Sequence, residues 1–261
     1  MRKTTMWSMF VMALLLVSTV CRSDQRGGSG TLPDMLLGVL ASAQVELEPS
    51  SLVHALATHP DPLIRGLAAE ALGLLGERSA ETSLLSSLQT DADRMVRELA
   101  ALALARMGNE TGLTALKGFL RSSDSPVRQL TMAAQLAELG ESAGFSIVVE
   151  AAASRQTSTR SLAAEALAAF VSLAGLTDDR GRSPAEMLLE LAGDDSAEVR
   201  LTVVQNLPEA TRKGMDLEAA RSTTKRLAAD VDPVVRESAQ SLLDAWRFDA
   251  DEKARREGGP G

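Results

Sequence analysis

Asp61-Pro62-Leu63-Ile64-Arg65-Gly66-Leu67-Ala68-Ala69-Glu70-Ala71-Leu72-Gly73-Leu74-Leu75-Gly76 decides the fold. An acid and a proline open it, an aliphatic residue and an arginine follow, and glycine closes an apolar run. Ile64, Leu67, Ala68, Ala71, Leu72 and Leu75 recur at spacings of three and four, which puts them on one stripe of a helix. The opening phrase returns as Asp93-Arg94-Met95-Val96-Arg97 and Asp124-Ser125-Pro126-Val127-Arg128. More distant copies are centred on Arg160, Arg200 and Arg236, so the arginines stand 32, 31, 32, 40 and 36 residues apart. A period of this length in helix-forming sequence predicts stacked helix pairs, because one pair cannot bury its own apolar face.

Second helices of six units are expected at 62–75, 94–107, 126–139, 158–170, 197–207 and 233–246. First helices are expected at 49–58, 80–89, 113–120, 142–153, 184–192 and 217–228, with an additional helix at 31–43 covering the first unit. Asp61-Pro62 and Asp232-Pro233 place an acceptor at the N-cap and proline at N1, where its missing N–H costs nothing. Ser183 and Glu186 have the spacing of a capping box, and Gly76, Gly108 and Gly140 recur where helices end. The expected class is all-α, an α-solenoid of about six antiparallel helix pairs spanning 31–247, followed by a disordered tail at 248–261. Trp246 is expected to pack on the last pair.

Composition agrees. The 261 residues include five Phe, two Trp and no Tyr, and sheet-rich folds draw more on aromatic and β-branched residues. A net charge of −8, spread over many short segments, argues against a phosphate-backbone ligand, which needs aligned Lys and Arg. Arg2 and Lys3 precede the apolar stretch Met6–Val17, the pattern of an export signal at 1–23 and short for a membrane span. Two processing routes fit. Acylation of Cys21 would end the signal at residue 20, whereas ordinary cleavage after Ser23 would release the cysteine. A polar, glycine-rich flexible segment follows at 24–30.

The repeat resembles the short bacterial HEAT-like repeats, including those named after phycobilisome lyases, across roughly residues 49–246. The resemblance implies a right-handed pile of two-helix units. It also implies a structural ladder tying adjacent units at their turns, built from Asp61 and Arg65, Asp93 and Arg97, Asp124 and Arg128, Arg160, Arg200, and Asp232 and Arg236. Gln156 replaces the acid of the fourth unit and Asp195 is a displaced acid in the fifth. Chromophore attachment, known for some members, is only a remote alternative here, since export conflicts with it.

No catalytic, cofactor or metal residues are expected. His54 and His59, five positions apart, point about 140° from each other on a helix, and His54 is expected to be partly buried. No G-x-S-x-G elbow, dinucleotide fingerprint or P-loop occurs. Two irregular segments are candidates for partner contact. One is the loop carrying Asp178, Asp179, Arg180 and Arg182, whose acids lack the alternating ligands of a calcium loop. The other is a basic segment with Arg212, Lys213, Arg221, Lys225 and Arg226. Together these features predict a non-catalytic protein of the bacterial cell envelope, periplasmic or tethered through an N-terminal lipid, that binds a protein or peptide. A regulatory or accessory subunit of an enzyme complex is the alternative.

Overall fold

The computed structural model describes residues 34–257, with side chains described for 36–247. The export signal at 1–23 with Cys21, the segment at 24–30 and the last four residues lie outside this range. Thirteen α-helices occur among the described residues, and no strand does. A single helix, α1 (Asp34–Ser42), precedes six pairs. These are α2 (Pro49–Thr58) with α3 (Pro62–Leu75), α4 (Glu81–Thr90) with α5 (Arg94–Arg106), α6 (Glu110–Arg121) with α7 (Pro126–Glu138), α8 (Phe145–Ala152) with α9 (Thr157–Phe170), α10 (Pro184–Leu191) with α11 (Ala197–Arg212), and α12 (Leu217–Leu227) with α13 (Pro233–Glu257). The fold is an α-solenoid. Its chain divides into two compact units, with the boundary inside α7 between Met132 and Ala133.

In the first unit α3 packs on both α2 and α5, and α5 packs on α4 and α6. Leu36 and Leu40 of α1 are buried and seat that helix on α3. The second helices α3 and α5 are enclosed nearly all round: Gly66–Gly73 of α3 and Leu99–Ala105 of α5 are buried without interruption. Such close packing needs small residues at the crossing. A Cβ added to Gly73 would lie 2.5 Å from Cα of Ala103, so glycine is what lets α3 and α5 approach. In the second unit α9 packs on α8, α10 and α11, and α11 packs on α10, α12 and α13. Ala163, Ala164, Ala166, Ala168 and Ala169 line α9, with Phe170 buried against the edge of Phe145, ring centroids 5.4 Å apart.

Local signals explain the boundaries. Asp61 and Asp93 accept from Leu63 N (2.9 Å) and Met95 N (2.8 Å), and Asp232 accepts from Val234 N (2.9 Å). Ser183 and Glu186 form the reciprocal capping box of α10. Gly76, Gly108 and Gly140 adopt positive φ of 65°, 80° and 82° where α3, α5 and α7 stop.

Two helices outrun the sequence expectation. α11 passes through Pro208 to Arg212, although a ring inside a helix removes a bond and disfavours helical geometry at the residue before it. Leu207, Glu209 and Ala210 are buried on both sides of the proline, and that packing carries the helix past it. α13 continues to Glu257 where a disordered tail was expected to begin at 248. Residues 248–257 contain no proline or glycine, so nothing in the covalent chain stops the helix before Gly258. Trp246 is half-buried.

Candidate functional site

Five of the six recurring arginines, Arg65, Arg97, Arg160, Arg200 and Arg236, share one construction. Nη1 of each donates to the two carbonyls six and five residues before it: Arg65 to His59 and Pro60 (2.9 and 3.2 Å), Arg160 to Ser154 and Arg155 (2.9 and 3.2 Å), Arg200 to Asp194 and Asp195 (2.8 and 3.0 Å). The side chain thus closes the turn between the two helices of its own unit. Its other edge reaches the next unit. Nε and Nη2 of Arg65 donate to the two carboxylate oxygens of Asp91 at 2.8 Å each. Arg160 grips Asp194 at 2.7 and 2.8 Å, and Arg200 grips Asp230 at 2.7 Å through both nitrogens. These are bidentate, charge-assisted pairs.

The ladder acid therefore stands six residues before the following arginine. The acids expected in that role, four residues before, do something else. Asp61, Asp93 and Asp232 cap the second helices of their own units, while Asp124 is exposed and makes no hydrogen bond or ion pair among the described residues. In the third unit Ser125 Oγ accepts from Arg128 N instead (3.4 Å). Asp195 contributes its backbone carbonyl to Arg200, and Gln156 precedes α9 without a side-chain cap. Asp91, Asp194 and Asp230 also accept from the backbone N–H two residues on, at 2.9, 2.8 and 2.8 Å. Hydrogen bonds from the paired guanidinium hold each of the three carboxyls below the usual aspartate range, against the opposing effect of burial.

The ladder is incomplete. Ser154 occupies the acid position before Arg160, and Ser123 that of the third unit, where Gln129 replaces the arginine and donates to Ser123 O at 2.9 Å. Arg128 instead donates to Glu98 (3.3 Å), which also holds Arg94 (2.8 Å). Arg236, at the last pair, donates to the carbonyls of Asp230 and Val231 (2.5 and 3.2 Å).

The loop between α9 and α10 is organised by Asp178. Its side chain is fully buried and accepts from Arg180 N (3.0 Å), Arg182 N (2.8 Å) and the Arg182 guanidinium (2.6 and 2.8 Å). Burial pushes this carboxyl up, but the bonds from Arg182 and the two backbone N–H groups outweigh it and leave it below its ordinary value. Asp178 is thus a structural pivot, while Asp179 and Arg180 are exposed. Arg182 continues to Glu190 and so lies on the wall of an open groove of about 430 Å³ between α10 and α12. Arg182, Glu186, Leu189, Glu190, Gly193, Thr223 and Arg226 line it.

The basic segment does not form a common patch. Arg212 pairs with Glu209 at 2.5 Å, and Lys213 lies 2.6 Å from Glu138 and 3.5 Å from Glu209. Arg221 reaches Glu218 at 3.3 Å. Lys225 and Arg226 are exposed and make no ion pair among the described residues. The acids that consume the first two cations sit three or four residues back, or on α7, where no basic-cluster reading could see them.

A second open groove, of about 560 Å³, lies where α1 meets α2 and is lined by Gln44, Glu46, Ser50, His54, Thr58 and His59 among others. His54 is exposed, contrary to the expected partial burial, because Leu52, Ala55 and Leu56 take the inner face of α2. His54 Nε2 lies 3.3 Å from Thr58 Oγ1, and His59 Nδ1 accepts from Asp61 N at 3.1 Å. No cluster of His, Cys, Asp or Glu able to hold a metal occurs among the described residues. No described helix is long and apolar enough to cross a membrane.

One buried pair was invisible in the sequence. Glu70 of α3 is 2% exposed, its Oε1 lies 3.8 Å from Nη1 of Arg106 on α5, and its Oε2 has no hydrogen-bond partner. Burial raises the Glu70 carboxyl above its usual value, and Arg106 offsets part of this.

No curated protein matches the chain. Among solved structures, an engineered protein is 21% identical, with 76% of this chain and 95% of that one covered and a TM-score of 0.39. A designed armadillo repeat protein is 18% identical, with 77% and 99% covered and a TM-score of 0.39. Another designed armadillo repeat protein, in complex with the peptide (KR)4, is 16% identical, with 94% of each chain covered and a TM-score of 0.29. Residues 49–137, which carry the first three helix pairs from α2 to α7, match the family described as HEAT repeats.

Proposed function

We propose that this protein is an exported, non-catalytic scaffold that holds another envelope protein or an extended peptide against its helix pairs. The observation that carries this reading is how the polar groups are used. Along the turns of both units, guanidinium and carboxylate groups are spent on carbonyls, caps and neighbouring units. What remains open to solvent is a series of helix faces and shallow grooves with charged and hydroxyl-bearing walls, such as that between α10 and α12. A surface held by stacked helices loses little conformational entropy when a partner lies on it.

Export rests on the charged start and short apolar stretch of residues 1–23, and a lipid tether would be attached at Cys21. Intact-mass measurement on membrane and soluble fractions reads both: a chain beginning at acylated Cys21 supports the tether, and one beginning at Asp24 supports release. The binding role is tested by cross-linking the full chain in intact cells, then purifying it from detergent-solubilised envelope. A protein recovered in stoichiometric amount supports the scaffold. Recovery of the chain alone, across several cross-linker lengths, refutes it.

A further inference from the structure

The incomplete ladder contains a built position with nothing in it. Nη1 of Arg97 donates to the carbonyls of Asp91 (2.6 Å) and Ala92 (3.0 Å), as Arg65, Arg160, Arg200 and Arg236 do in their units. That anchoring fixes the guanidinium plane and turns Nε and Nη2 toward the following turn. At Arg65, Arg160 and Arg200 the same edge holds an aspartate carboxylate through two bonds. At Arg97 the corresponding residue is Ser123, and Nε and Nη2 have no hydrogen-bond partner among the described residues. Ser123 is too short to substitute: its hydroxyl accepts from Ser125 N at 3.3 Å, as the ladder acids accept from the N–H two residues on, and donates to Ser125 O at 3.5 Å.

The acids nearby are engaged elsewhere. Asp91 is held by Arg65, Asp93 caps α5, and Glu98 receives Arg94 and Arg128. Asp124 is exposed and does not reach Arg97. Arg97 is itself half-exposed, so its fork meets solvent beside the buried Ser123.

We propose that the open rung at Arg97 and Ser123 is a binding site for a carboxylate brought by another molecule. The same chain shows three times what this guanidinium edge takes, and its orientation is set before any ligand arrives. The carboxylate can be the acidic side chain of a bound peptide or a small free carboxylate. The peptide source rests on the scaffold reading, while the chemistry of the rung does not. Arg236 shows a similar open edge, but it is exposed and no following turn among the described residues shapes a pocket around it.

The test is an NMR titration of the assigned arginine Nε–H resonances in the full chain. The probes are sodium acetate, an end-capped tetraglutamate peptide and an end-capped tetraglutamine peptide. Arg97 Nε–H is expected to shift with acetate or tetraglutamate and not with tetraglutamine, while Arg65 Nε–H, already filled by Asp91, stays in place. Ser123→Asp supplies the missing acid internally and is expected to weaken the Arg97 response about tenfold or more, the effect of losing one such interaction. Arg97→Lys keeps the charge and loses the fork, and should abolish the tetraglutamate shift read at the backbone N–H of Ser123, with the helical circular dichroism unchanged. A shift with acetate alone assigns the rung to small carboxylates, and a stronger one with tetraglutamate assigns it to peptides. No shift of Arg97, a shift equal to that of Arg65, or an unchanged response in Ser123→Asp overturns the proposal. Because the acetate arm needs no partner protein, its outcome is independent of the cross-linking result.

Discussion

Gly73 tests the packing on which the whole stack depends. A Cβ at this position would lie 2.5 Å from Cα and 2.7 Å from Cβ of Ala103, and the first of these is backbone that no rotamer change can move. Ordinary carbon contact is about 3.5–4.0 Å, so α3 and α5 would have to separate by roughly 1 Å. Overpacking of this kind costs about 1–3 kcal/mol, while replacing a mid-helix glycine by alanine returns about 0.5–1 kcal/mol. Gly118 on α6 is the control, because nothing lies within 4 Å of its added Cβ and its φ is not positive. Gly118→Ala should therefore stabilise the first unit by about 0.5–1 kcal/mol, and Gly73→Ala should destabilise it by about 1–2 kcal/mol. With a urea slope of about 1–3 kcal/mol per molar, the two unfolding midpoints should differ by about 1 M, read by far-ultraviolet circular dichroism. A midpoint for Gly73→Ala equal to or above that of Gly118→Ala would refute the close crossing of α3 and α5.

Asp91→Asn breaks the charge of a pair whose side chains are only 9% and 16% exposed, and should cost about 1–2 kcal/mol in urea unfolding at pH 7. Asp91, Asp194 and Asp230 are all depressed, so their contribution is complete above the unfolded aspartate value of about 3.9 and is lost as pH falls through the lower folded values. The parent should accordingly lose stability below about pH 4, and the penalty of Asp91→Asn should shrink there. Glu70 has the opposite sign: its raised folded value favours the protonated form, so its contribution is complete below the unfolded value and declines as pH rises through the folded one. Glu70→Gln should therefore be more stable than the parent at pH 8, with the difference disappearing toward pH 4, as measured by midpoints across that range. Pro208→Ala restores a backbone donor inside α11 and should stabilise the second unit by about 1–2 kcal/mol after allowing for the more flexible unfolded chain, seen as a higher thermal midpoint.

The helix pairs were legible because the signals that bound them are local. Asp61 and Asp93 sit at N-caps and Gly76 and Gly108 at positive φ, and each of these requirements involves residues only a few positions away. The expected ends failed where packing outweighed a local signal, as at Pro208, or where no stop signal existed, as after Trp246. The basic segment failed for a different reason. Arg212 and Lys213 are paired with Glu209 within the helix and Lys213 also with Glu138 seventy-five residues away, and the second partner is known only once the stack exists.

The ladder shows how far a repeat pattern can carry a functional reading. Periodicity correctly identifies that an acid and an arginine recur together, but two aspartates two residues apart serve different donors. The nearer one, Asp93 or Asp232, answers the backbone N–H groups of its own helix, a need that every unit has. The farther one, Asp91 or Asp230, answers the guanidinium of the preceding unit, a need that arises only when units stack. From sequence alone the cap is the stronger signal, and it attracts the ladder assignment. Once the partner is known, Ser123 changes meaning: it marks a junction at which Arg97 has kept its anchoring carbonyls and lost its carboxylate. An arginine without such anchoring would leave only a solvated surface charge, whereas one held by two carbonyls with its fork exposed is already oriented for an acid supplied from outside.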